Sequence, residues 1–119
     1  MNTEMLSAVF PLDQAREGVR VENGKRFAKV AERGSLRLLC ALPIPPNEQT
    51  PHDQDELYVV VRGHGILFHN GERHPFAAGD AMFVAAGIEH HFEAFTEDLA
   101  VWVVFYGPRG GERSLSSAA

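Results

Sequence analysis

Turn-forming dipeptides interrupt this chain every few residues, and that punctuation constrains its fold more than any other feature. Asn23-Gly24 and Asn70-Gly71 are each the pair that a type I′ hairpin turn prefers, because both central residues of that turn need positive φ. The first predicts a hairpin joining a strand near Glu17 to Glu22 with one near Lys25 to Ala31. The second joins Ile66 to His69 with Glu72 to Phe76. Pro75 has no amide to donate, so it should end the second arm or lie on a sheet edge.

Short apolar runs rich in β-branched and aromatic residues fill the remaining space: Leu36 to Leu42, Leu57 to Val61, Ala81 to Val84, and Leu99 to Tyr106. Each has strand length. Pro43-Ile44-Pro45-Pro46 and Ala78-Gly79-Asp80 separate them closely and leave little room for long helices. Many short strands with tight turns predict an all-β sandwich or closed barrel. The first ten or so residues suit either a strand or a short helix. The Gly-, Ser- and Ala-rich stretch from Gly107 to Ala119 predicts a mobile tail. A chain of 119 residues has room for one domain, which we place at 1–106, with residues 107–119 as the tail.

Charge narrows the partners. Eleven Lys and Arg against sixteen Asp and Glu give a net charge of −5, without a basic run that could neutralise a row of phosphates. Nucleic acid is therefore not expected as a partner. Cys40 is the single cysteine, set in Leu38-Leu39-Cys40-Ala41-Leu42. It can form neither an intrachain disulfide nor a thiolate zinc cluster, and it reads as a buried small hydrophobe. The start Met1-Asn2-Thr3-Glu4-Met5-Leu6 lacks the features of a signal peptide, and no apolar run approaches membrane-spanning length. The expectation is a cytoplasmic protein without a membrane partner.

Chemistry concentrates in two stretches. In Thr50-Pro51-His52-Asp53-Gln54-Asp55-Glu56-Leu57-Tyr58-Val59-Val60-Val61-Arg62-Gly63, His52 precedes Glu56 by four positions and Gly63 follows Glu56 by seven. His52 and Glu56 share parity, so in an extended chain both side chains point to one face. Tyr58 and Val60 continue that face, and an ionised carboxylate among apolar groups is costly without a compensating cation or donor. The second stretch, Gly79 to Phe92, carries His90 just beyond Gly87, at the start of a further strand.

Together these stretches resemble the two motifs of the cupin family, H-x-H-x(3,4)-E-x(6)-G and G-x(5)-P-x-G-x(2)-H-x(3)-N. His52, Glu56 and Gly63 match the second His, the Glu and the Gly of the first motif, and Gly79, Gly87 and His90 match the second. The resemblance spans roughly residues 36–106 and implies a double-stranded β-helix, or jelly-roll barrel. It also implies one divalent metal ion held by His52, Glu56 and His90, without distinguishing Fe, Mn, Ni or Zn. Three positions depart from the pattern: Thr50 replaces the first His, Ala85 the Pro and Ala94 the Asn. Ala85 and Ala94 should alter local turns only. Thr50 reduces the family's three-His, one-Glu set to two His and one carboxylate, still a facial triad with open positions. Thr50 and Gln54 are then candidates to hold a metal-bound water, and Glu48 or Gln54 could swing in as a further ligand.

Other residues carry lesser expectations. Tyr58 and Phe92 share parity with Glu56 and His90, so they could line the cavity above the metal or pack into the core. His91 should face away; His64, His69 and His74 belong to turns near the surface; Asp80 reads as a turn residue. The last strand is apolar on both faces, with Leu99, Val101, Val103 and Phe105 on one and Ala100, Trp102, Val104 and Tyr106 on the other. Coverage on both sides suggests a homodimer. The resulting functional reading is a metal-dependent enzyme, dioxygenase-, isomerase- or lyase-like, acting on a small organic molecule. A non-catalytic ligand-binding or sensing protein is the alternative, and a polar Tyr or Arg near an open metal position would favour the enzyme.

Overall fold

The computed structural model describes residues 8–47 and 49–113. One short helix, α1 (Leu12–Glu17), precedes nine strands: β1 (Arg20–Glu22), β2 (Lys25–Arg33), β3 (Leu36–Ala41), β4 (Asp55–Arg62), β5 (His64–His69), β6 (Glu72–Ala77), β7 (Ala81–Val84), β8 (His90–Glu93) and β9 (Ala100–Tyr106). All pairings are antiparallel, in a six-stranded sheet of order β1-β2-β3-β9-β4-β7 and a three-stranded sheet of order β6-β5-β8. The all-β reading holds, and the chain forms a jelly-roll barrel.

Both Asn-Gly pairs form the turns expected of them. Asn23 and Gly24 have φ of 52° and 76°, and Asn70 and Gly71 have 47° and 82°. Glu22 faces Lys25 across the first turn and His69 faces Glu72 across the second. Pro75 stays within β6, which lies at the edge of its sheet, where a missing amide leaves no ladder bond open. The first hairpin arm is shorter than expected, because residues 12–17 turn as a helix before the strand begins at Arg20. Ala15 on this helix is buried against β2 and β3. The earliest positions, 1–7, for which a strand or a helix was equally suitable, lie outside the described residues.

Alternation along the strands decides what faces inward. Tyr58 and Val60 of β4, Met82 and Val84 of β7, and Val101, Val103 and Phe105 of β9 turn inward from the large sheet. Leu67, Phe76 and Phe92 meet them from the small sheet, so the core lies between the two sheets. Side chains such as these each contribute about 1.5–3 kcal/mol when withdrawn from water.

On the outer side of the large sheet Cys40 is fully buried between Ala28 and Trp102 on the neighbouring strands. Burial pushes its thiol pKa up, against a smaller opposing pull from Arg16. The folded protein should react with a disulfide reagent at least about a hundredfold more slowly than the urea-unfolded chain. Comparable rates in both states would show this packing to be wrong.

Where a mobile tail was expected from Gly107, residues 107–113 instead fold back on the segment before β4. Gly110 N–H donates to Asp53 O at 2.6 Å, and Arg109 Nε bonds Asp53 Oδ2 at 2.9 Å. Glu112 N–H donates to Asp55 Oδ2 at 2.8 Å. Glycine-rich composition concealed this, because two of the three bonds are donated by backbone amides, which any residue carries, and all three join remote segments. Residues 114–119 lie outside the described residues. No helix among the described residues is long and apolar enough to cross a membrane.

Candidate metal centre

Three elements deliver the expected residues to one place. Glu56 points inward from β4, His90 opens β8, and His52 sits in the loop three residues before β4 begins. Their ligand atoms all lie within 4.8 Å of one another. His52 Nε2 is 3.6 Å and His90 Nε2 3.0 Å from the same oxygen, Glu56 Oε1. Glu56 and His90 are only 2% and 1% exposed.

All three atoms, His52 Nε2, Glu56 Oε1 and His90 Nε2, are buried without a hydrogen-bond partner of acceptable geometry. His90 shows why. Its Nδ1 lies 2.9 Å from Ile88 O; a carbonyl can only accept, so Nδ1 carries the proton. A neutral His90 therefore presents a lone pair at Nε2, toward a carboxylate oxygen that also has only lone pairs to offer. Acceptors this close repel unless a proton on His90 Nε2 or a metal cation lies between them. The donor set of two imidazoles and a carboxylate suits a divalent transition metal, and a backbone bond to the far ring nitrogen is the usual way of orienting a ligand histidine.

The surroundings set the charge of each group. Burial lowers the His52 pKa more than Glu56 raises it, with His90, Lys25 and Arg37 adding to the fall, so the ring is neutral and able to bind a cation. Burial also pulls His90 down, but the nearby Glu56 carboxylate and the Ile88 carbonyl together outweigh it and leave its pKa raised. Tyr58 is held well above the ordinary tyrosine value, first by burial and then by the adjacent Glu56 charge. It stays a neutral phenol, whose hydroxyl lies 3.2 Å from Gln49 Oε1 and donates to it.

Because His52 lies outside any strand, its position depends on bonds from both sides of its loop. Gly87 N–H donates to His52 O at 2.6 Å. Asp55, 4% exposed, accepts from Ala86 N–H at 3.0 Å through one oxygen and from Glu112 N–H at 2.8 Å through the other. Its carboxylate thus ties the turn leading to His90 and the returning C-terminal segment to the loop that carries His52. Asp55→Ala leaves two amides without their acceptor and should destabilise the fold by about 2–4 kcal/mol. It should also weaken metal binding at least about tenfold. Titration of the variant with a divalent metal checks this; wild-type affinity in a folded variant would show that the loop needs no such tie.

A cavity of about 250 Å³ adjoins the cluster. Tyr58 and Phe92 line it as expected, beside His52 and Glu56. Asn47 and Gln49 close it from the β3–β4 connection, Arg37 and Leu39 from β3, and Val103 and Phe105 from β9. Sequence reasoning missed Asn47, Gln49 and Arg37. Asn47 Oδ1 accepts from Phe92 N–H at 2.8 Å and from Gln49 Nε2 at 2.8 Å, locking the connection to β8. Arg37 shares parity with Leu39 on β3, a signal that could have placed it on the inner face.

The structure does not bring Thr50 or Gln54 to the cluster. Thr50 is exposed and lines no part of the cavity. Gln54 Oε1 accepts from Arg37, and its Nε2 donates to Ser35 O and Gly107 O, which occupies both ends of the amide elsewhere. Glu48 lies outside the described residues. His91 faces away as expected, bonded to Glu93 at 2.8 Å and stacked on Phe68. His64 and His74 are exposed, His69 is half-buried against His74, and Asp80 accepts the Ala77 amide across its turn.

Comparison with known proteins agrees with this architecture. The family described as Cupin domain matches residues 43–106. An uncharacterized protein of Streptomyces coelicolor is 35% identical over 100 residues, covering 83% of this chain and 95% of that one. An oxalate-binding protein of Thermotoga maritima is 30% identical over 77 residues, 61% of this chain and 64% of the other. The solved structure of KdgF from a Halomonas species superposes with a TM-score of 0.65 at 25% identity, over 76% of this chain and 86% of that one. With a family match over more than half its length and that family's barrel around the His52, Glu56 and His90 cluster, the chain belongs to the cupin family.

Proposed function

We propose that this protein is a metal-dependent enzyme acting on a small organic molecule inside its barrel, with His52, Glu56 and His90 holding one divalent ion. The observation that carries the reading is the convergence of three buried, unpartnered ligand atoms beside a cavity. A bound ion would supply Lewis-acid or oxygen-activating chemistry, which accommodates dioxygenase-, isomerase- or lyase-like reactions. The chain's own groups do the rest. Tyr58 holds a neutral hydroxyl at the cavity wall, its hydrogen donated to Gln49 and its oxygen able to accept from a substrate donor. Phe92, Val103 and Phe105 keep one side dry, and Asn47 and Gln49 hold polar groups at its edge.

Metal analysis of untagged protein against a His52→Ala variant tests the site, with about one ion per chain expected in the first and none in the second. Equal content would overturn the assignment. Turnover or oxygen uptake by the metal-loaded protein then tests catalysis. Non-catalytic binding is the second reading, favoured by the resemblance to an oxalate-binding protein, and saturable binding without turnover would select it.

The reading includes a homodimer. Leu57, Val59, Trp102 and Val104 present an apolar outer face on the large sheet, continued by Phe83, which is 50% exposed. Phe83→Glu should convert a dimer to a monomer in light scattering after size exclusion, because a charge at an apolar interface core is strongly unfavourable. A wild-type monomer, or a variant that remains dimeric, would contradict this arrangement.

A further inference from the structure

Part of the cavity wall is cationic. Lys25, Arg26 and Arg37 line it, and among the described residues none of the three has a carboxylate partner. This stands out in a chain of net charge −5, because half-buried cations are ordinarily paired. Arg26 Nε donates to Leu42 O at 2.7 Å. Arg37 is held in a fixed pose, its Nη2 donating to Gln54 Oε1 at 2.7 Å and its guanidinium 4.7 Å above the centre of the Phe105 ring. Phe105 in turn meets the His52 ring edge-on at 4.8 Å, so one aromatic ring contacts both Arg37 and His52. The Lys25 ammonium has no hydrogen-bond or ion-pair partner among the described residues.

We propose that the cavity takes a small organic carboxylate, its charged end received by Arg37 and Lys25 and its body lying against Phe92 and Val103. The inference rests on the reading of this cavity as the substrate site. Three positive charges against the single carboxylate of Glu56 focus a positive potential in a low-dielectric cleft, which concentrates anions. A planar guanidinium with free N–H groups matches the two oxygens of a carboxylate. The cavity, about 250 Å³, lies below the usual range for drug-sized ligands, so the acid is small. Its apolar wall suits a compact carbon skeleton.

Calorimetric titration of the full chain, metal-loaded and metal-stripped, with oxalate, malonate and pyruvate and with their uncharged amides tests this. At least one acid should bind, its amide should bind at least about tenfold more weakly, and the contrast should persist without metal because the cations belong to the protein. Lys25→Met and Arg37→Gln should each weaken the acid about tenfold with the metal content of the chain unchanged, and Arg37→Lys should restore part of the loss. Lys25 adjoins an exposed turn, so its variant reports even if Arg37→Gln folds poorly. Binding of amide and acid alike, undiminished binding in Lys25→Met, or binding of none of the three acids would overturn the proposal. A wild-type chain that takes up no metal yet still prefers acid to amide would sink the metal reading alone.

Discussion

Exchanging Glu56 for Gln should lower affinity for a divalent metal at least about a hundredfold, more than the loss typical of removing a group behind a ligand. Glutamine keeps the size of the side chain but removes the charge, and a neutral amide oxygen is a poor substitute for a carboxylate beside two imidazoles. The metal-free protein should respond in the opposite direction. Glu56 is 2% exposed and its Oε1 has no hydrogen-bond partner, so without a cation it is a buried charge that destabilises the fold. Metal-stripped Glu56→Gln is therefore expected to melt no lower than metal-stripped wild type. Added metal at a hundredfold excess over its dissociation constant should stabilise the wild type by about 2.7 kcal/mol and the variant hardly at all. Thermal melts with chelator and with metal, alongside metal analysis of dialysed protein, measure both effects. A variant that retains metal, or that melts well below wild type when both are stripped, would contradict the role given to Glu56.

Gly63→Ala should be the most destabilising of the single-methyl additions at the motif glycines. Gly63 has φ of 85°, and a Cβ there would lie 2.5 Å from Thr96 Oγ1 and 2.9 Å from Leu99 Cα. Thr96 Oγ1 is fixed by accepting the His64 amide at 3.1 Å, and Leu99 is 1% exposed, so neither can move freely. Left-handed backbone costs an alanine about 1–2 kcal/mol, and overpacking adds about 1–3 kcal/mol. The total of about 2–5 kcal/mol corresponds to a fall in melting temperature on the order of 10–20 °C. Gly87 provides the control. Its φ is 81°, but a Cβ would meet nothing within 4 Å, so Gly87→Ala should cost only the backbone term. Equal losses at the two positions would mean that the crowding around Gly63 relaxes freely.

The comparison explains why a motif glycine is legible in a sequence while its reason is not. Gly63 sits at the fixed distance from Glu56 that marks the family pattern, yet the atoms that forbid a side chain there belong to Thr96 and Leu99, more than thirty positions away. The same division runs through the site. Glu56 and His90 could be read from spacing and parity, and so could Tyr58 and Phe92 on the cavity wall. Thr50 and Gln54 could not be placed correctly. Parity fails before β4 begins, where the chain bends and Gln54 turns toward Arg37 and Gly107.

By itself the sequence determined what depends on neighbours along the chain. Asn-Gly pairs select hairpins because positive φ is a property of single residues, alternating apolar residues select strands, and an inward carboxylate between two motif histidines requires a compensating cation. Only the tertiary structure decided which distant groups surround that cluster. Arg37 reaches the cavity because β3 pairs with β9 and β9 with β4. Asp55 gathers amides from residues 86 and 112 because the C-terminal segment folds back. Lys25 lines the cavity because the first hairpin, through Gly24, Lys25 and Arg26, borders it. Such placements follow from sheet order and from backbone hydrogen bonds between remote segments, and backbone groups are the same in every residue, so no local pattern of side chains can specify them.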